Sequence, residues 1–276
     1  MNCKSMLHHQ QTIASGYLPL RITVFADKCA AGTRALVCLA KGPPRQDELH
    51  AMWAMEMDAE ACCWTWLDGN RLQVRCYHAG IPIEFCGHGL LASAYAWRHC
   101  HWTAGAVQSA TQSYRVSDSA DGSLWLHCPR IATQPAEEPI PPTWFDHPPC
   151  ASALAGPDNG YWILRWPDGF DIATLQPDLA QISHCTRRAI IATASNPLSD
   201  GAYRVSLRYF APQYGNPEDS VTGSACVVLA DYWRQPQLVL QQRSLRGGTI
   251  EAQLNGDSVA ISGQLAMETI PWRHSS

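Results

Sequence analysis

The first part of the chain alternates short apolar runs with turn residues, which is the pattern of β-strands. Residues 20–25 (LRITVF) and 35–39 (ALVCL) are predicted strands, and the small residues at 31–33 (AGT) are predicted to form the turn between them. Apolar residues then recur at helical spacing through residues 46–57. The chain is therefore expected to begin with two strands and a helix.

A hairpin and a buried helix are predicted next. Residues 62–67 and 71–77 read as strands on either side of DGN (68–70), a strong hairpin signal. Residues 87–100 form an apolar run long enough for a buried helix. The second part of the chain shows the same mixture, with a helix around residues 175–183 and strands at 161–166, 189–194, 203–210, 237–240 and 249–254.

Two segments resemble each other and indicate an internal repeat. Residues 75–97 read RCYHAGIPIEFCGHGLLASAYAW, and residues 208–233 read RYFAPQYGNPEDSVTGSACVVLADYW. Each predicts a strand, a loop, a turn of small residues and an apolar helix, and Trp97 falls on Trp233 when the segments are aligned. The chain is therefore interpreted as two similar halves.

Both predicted helices begin with small residues, CGHG at 86–89 and TGSA at 222–225. A helix N-terminus carries free backbone N–H groups and partial positive charge, and glycine lets a ligand carboxylate approach these amides closely. The alternative is simple capping, because Asp219, Thr222 and Ser224 are ordinary residues at the start of a helix. The recurrence of the motif in both halves favours an anion-binding function.

The domain organisation follows from a change of composition in the middle of the chain. Residues 129–158 are rich in Pro, Ala and acidic residues, which is typical of a connection. We therefore predict an N-terminal half at residues 18–128 and a C-terminal half at 159–258. Residues 259–276 are expected to form a tail that packs back on the first half. The balance of elements predicts an α+β fold.

Composition and charge exclude several functions. The chain has 276 residues and a net charge of −4, without the basic stripe that a nucleic-acid surface needs. The N-terminus lacks an apolar signal-peptide region and no stretch is long enough to span a bilayer, so we expect a cytoplasmic protein. The 12 cysteines lack paired metal-ligand spacing and are expected to be mostly buried thiols rather than disulfides or a metal site.

Three carboxylates stand near the predicted helix starts and strands. Asp219 precedes the second small-residue turn, and Glu60 directly precedes an apolar strand, a position that could direct it inward. Glu56 lies on the predicted helix and is expected to face solvent. Apolar surroundings raise a carboxyl pKa towards neutrality, where general acid–base catalysis is most effective. Glu60 and Asp219 are therefore candidate proton-transfer groups.

Three motifs resemble one known family. Residues 218–225 (EDSVTGSA) are close to E-D-P-x-T-G-S-A, residues 85–89 (FCGHG) to F-A-G-H-P, and residues 56–60 (EMDAE) to a shortened E-M-N-x-S-E. These are motifs of the PhzF-like proteins, the phenazine-biosynthesis isomerases of the diaminopimelate-epimerase-like superfamily. The resemblance extends over about residues 20–255, and the 218–225 motif is its most specific part.

The resemblance implies a fold and a chemistry. The fold would be α+β, with two similar domains, each a mostly antiparallel sheet wrapped around a central helix, and an active site in the interdomain cleft. The chemistry would be cofactor-independent proton transfer on a small carboxylate-bearing metabolite. The site would use Glu60 as the main general acid/base. The remaining implied site residues are the polar groups His88, Asp219 and Ser224 and the backbone amides of Gly87 and Gly223.

The chain departs from the family pattern at the first helix start, where Cys86 replaces Ala and Gly89 replaces Pro. CGHG resembles the first half-site of proline racemases, whose catalytic cysteine occupies this place, and Thr222 stands where those enzymes have a second cysteine. This Cys/Thr combination is similar to that of hydroxyproline dehydratases, which need one thiol base. Cys86 at a helix N-terminus could be a thiolate base, or it could be a buried inert thiol.

Three functions therefore stay open at the level of sequence. The first is a PhzF-like isomerase or epimerase that uses Glu60. The second is an amino- or imino-acid racemase, epimerase or dehydratase that uses Cys86. The third is a non-catalytic protein that binds a carboxylate. In each case the expected ligand is a small carboxylate without a cofactor, metal, nucleic acid or membrane, and a homodimer is compatible with the family. The predicted ligand contacts are Gly87, Gly89, Thr222, Gly223 and Ser224.

Overall fold

The computed structural model describes four parts of the chain and divides it into two compact units. The described residues are 16–55, 59–103, 105–196 and 203–268. Glu56, the alternative carboxylate, lies outside them. Across these ranges no helix has the length and apolarity that crossing a membrane requires. Within the same ranges, unit 1 consists of residues 16–25, 33–127 and 263–268, and unit 2 of residues 26–32 and 128–262.

Unit 1 contains nine strands and two helices among the described residues. The strands are β1 (Tyr17–Val24), β2 (Thr33–Ala40), β3 (Ala61–Asp68), β4 (Arg71–His78), β5 (Ile81–Ile83), β6 (Ala106–Gln108), β7 (Ser113–Asp118), β8 (Leu124–Pro129, with its last two residues in unit 2) and β17 (Leu265–Glu268). The helices are α1 (Gln46–Met55) and α2 (Gly87–His99).

The sheet of unit 1 is mostly antiparallel and wraps around α2. Its strand order is β17-β1-β2-β3-β4-β6-β7-β8, with β5 also paired to β4. The two parallel pairs, β2–β3 and β4–β6, are each connected through a helix, because parallel neighbours need a crossover. Helix α2 contacts β1, β2, β3, β4 and β17. Its small residues, such as Ala92, Ser93 and Ala94, are buried and let the sheet approach closely.

Unit 2 contains eight strands and two helices among the described residues. The strands are β9 (Thr133–Pro135), β10 (Ala151–Ala155), β11 (Tyr161–Arg165), β12 (Ala189–Ser195), β13 (Arg204–Phe210), β14 (Gln237–Gln242), β15 (Gly248–Asn255) and β16 (Ser258–Ser262). The helices are α3 (Leu179–Cys185) and α4 (Gly223–Trp233).

The sheet of unit 2 repeats the topology of unit 1. Its order is β9-β10-β11-β12-β13-β14-β15-β16, and its parallel pairs are β11–β12 and β13–β14. Each of these pairs is again connected through a helix, α3 or α4. Helix α4 contacts β9, β14, β15 and β16, and nearly all of its side chains are buried. The internal repeat predicted from the sequence is confirmed at the level of topology.

One hydrogen bond recurs in both units and fixes the alignment. The indole Nε1 of Trp97 donates to Thr65 Oγ1 at 2.8 Å, and Trp233 Nε1 donates to Thr193 Oγ1 at 3.3 Å. Both threonines stand at the fifth position of their strands, β3 and β12. Each central helix is therefore tied to the middle of its own sheet by the same pair of side chains, and the alignment of the two tryptophans is confirmed.

The predicted elements agree with the structure except in three places. In the predicted tail 259–276, residues 259–262 belong to β16 of unit 2, and Leu265–Glu268 forms β17 against β1 of unit 1. The Pro-rich segment 129–158 contributes β9 and β10 to the sheet of unit 2, because Ala153 and Ala155 turn small apolar side chains inward at alternate positions. The helix expected at 175–183 begins later, at Leu179, where the Asp178 carboxylate caps it. The interdomain cleft that the resemblance implies stays a prediction.

Candidate active site

Glu60 lies at the start of β3 and its carboxylate is held in place. The hydroxyl of Thr33, which is completely buried, donates to Glu60 Oε2 at 2.9 Å. The backbone is fixed as well, because the Glu60 amide donates to the Arg34 carbonyl at 3.0 Å and the Glu60 carbonyl lies 2.9 Å from His78 Nδ1. The half-buried side chain of Glu60 is therefore oriented by a neighbour rather than swinging freely in solvent.

Cys86 occupies the position before the first turn of α2, with His88 beside it. Cys86 is buried, and its Sγ lies 3.8 Å from Nδ1 and 3.7 Å from Nε2 of the His88 ring. Gly87 and Gly89 complete the motif and are both buried. A thiol at this position experiences the positive end of the helix, which favours the thiolate.

Two further thiols lie against Cys86. Cys63 on β3 pairs directly with Cys76 on β4, and their Sγ atoms are 3.3 Å apart. Cys76 also forms a hydrogen bond with Cys86. We call Cys63, Cys76 and Cys86 the thiol cluster. It lies three residues along β3 from Glu60, which corresponds to roughly 10 Å.

The pKa values of Cys76 and Cys86 are shifted in opposite directions. The pKa of Cys86 is held well below its ordinary value, chiefly by the hydrogen bond from Cys76 and then by the charge and ring nitrogens of His88, against the opposing effect of burial. The pKa of Cys76 is raised well above its ordinary value, mainly because its thiol is hydrogen-bonded to Cys63 and Cys86. The thiolate form is therefore favoured at Cys86 and disfavoured at Cys76.

Gly89 makes room for this arrangement. A Cβ on Gly89 would lie 2.7 Å from the sulfur of Cys63, 2.9 Å from that of Cys86 and 3.0 Å from that of Cys76. These separations are shorter than any van der Waals contact between carbon and sulfur. Gly89, which stands in place of the Pro of the PhzF-like motif, therefore leaves the space that the three sulfur atoms occupy.

A small cavity opens beside the cluster. It has a volume of about 40 Å³ and is lined by Cys76 and Cys86 together with Arg75, Glu84 and Ser109, among others. This space holds a molecule of the size of water or slightly larger. The thiolate of Cys86 is therefore buried but borders a space that a small molecule can occupy.

The second predicted half-site, in unit 2, is built around Asp219. The Thr222 hydroxyl donates to the Asp219 carboxylate rather than capping α4, as far as the described residues show. Gln242 on β14 fixes this turn from below: its Oε1 accepts from the Thr222 amide at 2.8 Å, and its Nε2 donates to the Asp219 carbonyl at 2.7 Å. Simple side-chain capping by Thr222, the alternative considered from sequence, is not what the structure contains.

The neighbouring carboxylate, Glu218, has a different environment. Arg208 donates to both of its oxygens, at 2.7 and 2.9 Å, and also to the Leu175 carbonyl at 2.7 Å. This bidentate ion pair anchors the loop before α4 to β13. Of the two adjacent carboxylates in the sequence motif, Glu218 is therefore bound by a structural arginine, and Asp219 faces the helix start.

Ser224 and Gly223 form the first turn of α4. Ser224 is half-buried and hydrogen-bonded to the hydroxyl of Tyr161, whose pKa is raised by burial in spite of that bond. Gly223 is buried. The structure thus brings Asp219, Thr222 and Ser224 to one helix start in unit 2, and brings Cys86 and His88 to the equivalent helix start in unit 1.

Sequence reasoning missed several of the residues that support these groups. Thr33 and Gln242 act from strands far away in the sequence, so no local signal could have identified them. The contact between Cys63 and Cys76, by contrast, could have been predicted from the register of the predicted hairpin. In the hairpin, Asp68 pairs with Arg71, so residues whose numbers sum to 139 lie opposite each other.

The family model for phenazine biosynthesis-like proteins matches residues 146–269. An uncharacterized isomerase of Pseudomonas aeruginosa is 29% identical over 253 residues, which cover 90% of this chain and 95% of that protein. An uncharacterized isomerase of Halalkalibacterium halodurans is 26% identical over 253 residues, covering 88% of this chain and 93% of that protein.

Over most of its length the chain is therefore similar to PhzF-like isomerases. A crystal structure of a PhzF-family phenazine biosynthesis protein from Enterococcus faecalis has a TM-score of 0.77 at 22% identity, covering 91% of this chain and 98% of that one. At this identity the likeness concerns the fold alone, and it confirms the predicted α+β class with two similar sheet-and-helix domains.

Proposed function

We propose that this PhzF-like protein moves a proton on a small carboxylate-bearing metabolite without a cofactor, with Glu60 as general acid/base. Members of the family act on small molecules. The observation that supports Glu60 is its fixed position, since the buried Thr33 hydroxyl holds Oε2 at 2.9 Å. Efficient proton transfer requires a group that is held in place before the substrate arrives. Thr33 is then a positioning residue that acts through Glu60.

The remaining polar groups are proposed as substrate contacts. Asp219 and His88 would exchange or stabilise protons, Ser224 would contact the substrate, and the glycines at 87 and 223 would offer their backbone amides to a carboxylate. A carboxylate ligand fits a helix start better than a cation does, because the amides there are donors. The cytoplasmic location and the homodimer stay predictions.

The experiment is proton NMR in heavy water with a panel of amino acids, imino acids and dihydroaromatic acids. Deuterium entering a carbon position identifies a substrate. For that substrate, Glu60→Gln is expected to lower the exchange rate by about 100-fold or more, since general acid–base catalysis contributes that much. Thr33→Val should lower it by about tenfold, the effect of a lost hydrogen bond to a charged group.

A matched control is Glu251→Gln, the same change at an exposed glutamate on β15 of unit 2. It should leave exchange unchanged. Full exchange by the Glu60→Gln variant would contradict the proposal, and so would a wild-type protein that catalyses no exchange with any acid of a broad panel while binding one of them.

A second candidate function is favoured by one observation, the lowered pKa of Cys86 beside His88. A thiolate of this kind could remove a proton from the α-carbon of an amino or imino acid. Under this alternative, Cys86→Ala abolishes exchange and Glu60→Gln leaves much of it. Comparing the two variants on the same substrate therefore separates the two candidate bases.

A further inference from the structure

The thiol cluster contains all the groups that a peroxide-reactive dithiol requires. A reactive thiol needs a lowered pKa, access to the oxidant and a second thiol within reach. Cys86 has the lowered pKa, since His88 and Cys76 both stabilise its thiolate. The cavity of about 40 Å³ that borders Cys76 and Cys86 supplies a space for the oxidant. Cys76, which is hydrogen-bonded to Cys86, is the second thiol within reach.

We propose that the thiol cluster is an oxidation site for small hydroperoxides, in which Cys86 reacts first, Cys76 resolves it and Cys63 accepts the disulfide from Cys86. In the first step, the Cys86 thiolate attacks one oxygen of hydrogen peroxide, the O–O bond breaks and hydroxide leaves. Cys86 becomes a sulfenic acid. The Cys76 sulfur then attacks the Cys86 sulfur and displaces its hydroxyl group, and the Cys76 proton ends in water. The two thiols are oxidised by two electrons, and one peroxide is reduced to two molecules of water.

The third thiol, Cys63, determines which two cysteines form the final disulfide. Cys63 lies directly opposite Cys76, with the sulfurs 3.3 Å apart. Attack by Cys63 on Cys76 breaks the bond to Cys86 and forms the Cys63–Cys76 disulfide, and the Cys63 proton is released to water. Cys86 can act as the leaving group, because His88 still stabilises its thiolate when Cys76 no longer carries a proton, and a thiol of low pKa leaves faster in thiol–disulfide exchange. The exchange therefore returns Cys86 to its thiolate form and places the disulfide on the β3–β4 hairpin.

Other buried cysteines of the chain lack these features. Burial raises the pKa of Cys128 to about 12, and it raises that of Cys226 further. The pKa of Cys38 is also raised well above its ordinary value by burial and by the neighbouring Cys62 and Cys63. The thiolates of these residues are too rare at neutral pH to attack a peroxide. The proposed reactivity thus belongs to the thiol cluster and not to buried cysteines in general.

The sequence allows the two disulfides to be distinguished directly. Trypsin cleavage after Arg45, Arg71, Arg75 and Arg98 places Cys76 and Cys86 together on peptide 76–98, and Cys63 on peptide 46–71. The folded protein is treated with one to a few equivalents of hydrogen peroxide, quenched in acid, alkylated and digested without reduction. A Cys76–Cys86 disulfide lowers the mass of peptide 76–98 by two hydrogens. A Cys63–Cys76 disulfide joins the two peptides.

The expected result is a transient intrapeptide disulfide in 76–98, followed by the joined peptides with Cys86 alkylated. Cys63→Ser should stop the reaction at the intrapeptide disulfide, and the matched change at the adjacent Cys62 should not. Cys86→Ser should prevent both products. If that variant does not fold, the order of products in the wild type still decides. The proposal is overturned if peptide 76–98 stays reduced, or carries only sulfinic or sulfonic acid, while exposed cysteines are oxidised.

The pH dependence provides an independent test. Because the pKa of Cys86 is lowered, a larger fraction of Cys86 than of an ordinary cysteine is thiolate at neutral pH. Its peroxide reaction should therefore rise less between pH 7 and 9 than that of a small reference thiol of ordinary pKa, which gains about tenfold or more. A Cys86 rate that rises like that of the reference thiol would refute the proposed role. These experiments need no substrate, so their outcome is independent of whether Glu60 or Cys86 is the catalytic base.

Discussion

The first turns of α2 and α4 occupy equivalent places in two sheets of the same topology, but different chemistry surrounds them. In unit 1 the neighbouring strands supply thiols, and the helix supplies a glycine. In unit 2 the same positions carry larger or hydroxyl-bearing side chains, and the helix carries an alanine. The equivalent pairs, unit 1 first, are Cys63 and Ile191, Cys76 and Tyr209, Cys86 and Thr222, and Gly89 and Ala225.

This difference shows that the fold determines where a site lies without determining its chemistry. At the helix start in unit 2, Gln242 fixes the Thr222 amide, Ser224 bonds Tyr161, and the Thr222 hydroxyl donates to the Asp219 carboxylate. The helix start in unit 1 is surrounded by titratable groups with separated pKa values. The first arrangement favours rigid positioning, and the second favours reactivity.

The largest expected effect on stability tests a feature of α4 alone. Asp231 is completely buried and is bound by Arg130 and by both the amide and the hydroxyl of Thr133, whereas α2 has Tyr95 at the equivalent position. Asp231→Ala should lower the free energy of unfolding by about 3 kcal/mol, because it removes the three hydrogen bonds that the buried carboxylate accepts from Arg130 and Thr133. Urea titration measures this, with Glu251→Ala, an exposed site, as the control.

Acidification should reduce the difference in free energy of unfolding between the wild type and the Asp231→Ala variant. Burial raises the pKa of Asp231, but the hydrogen bonds from Thr133 and Arg130 together outweigh it, so the pKa lies below its ordinary value. Stabilisation by a carboxylate of lowered pKa is present at neutral pH and is lost as pH falls through the folded-state pKa. Repeating the urea titration at acidic pH should therefore bring the Asp231→Ala variant closer to the wild type. An unchanged difference would contradict the ionised role of Asp231.

The next effect tests the packing around Gly89. In Gly89→Ala the new Cβ would meet three sulfurs at 2.7–3.0 Å, so the free energy of unfolding should fall by about 1–3 kcal/mol. The reverse change at the equivalent residue, Ala225→Gly, should cost about 1 kcal/mol or less. If the clash is with Cys63, the double variant Gly89→Ala with Cys63→Ala should lose less than the sum of the single changes. Strict additivity would rule out this account of the cluster.

The smallest effect tests what the two units have in common. Trp97→Phe and Trp233→Phe each remove one indole donor to a strand threonine, so each should cost about 1 kcal/mol beyond its change in packing. Thr65→Val and Thr193→Val, combined with the corresponding change of tryptophan, show whether the energy belongs to the pair. Coupling in one unit and none in the other would mean that the repeated hydrogen bond does not have a repeated role.

Much of the fold could be predicted because its signals are local. Strand periodicity, the DGN hairpin turn and the apolar helices were each visible within about ten residues, and the repeat followed from aligning 75–97 with 208–233. The prolines of segment 129–158 are typical of a connection, which is what the sequence predicts there. The structure instead forms two short strands, because small residues alternate along the segment. Proline content describes a local tendency, and pairing with a neighbouring strand can override it.

The candidate site was only partly accessible from sequence. The EDSVTGSA motif and the position of Glu60 before a strand indicated the PhzF-like resemblance and the candidate carboxylates, because a helix start and a strand start are local features. The partners of those groups depend on strand register and on residues far apart in the chain. Thr33 beneath Glu60 and Gln242 beneath Thr222 are examples, since each contact exists only once the sheet has formed.

By itself the sequence determined most of the strands and helices and the repeat, and it indicated candidates for proton transfer, because these depend on neighbouring side chains and on backbone preference. Only the tertiary structure decided which carboxylate is bound by an arginine and at which thiol the thiolate is favoured. Those properties depend on burial and on hydrogen bonds from other strands, which determine the free energy of a charge inside the protein. Cys86 is reactive because Cys76 and His88 surround it, and that neighbourhood exists only in the folded chain.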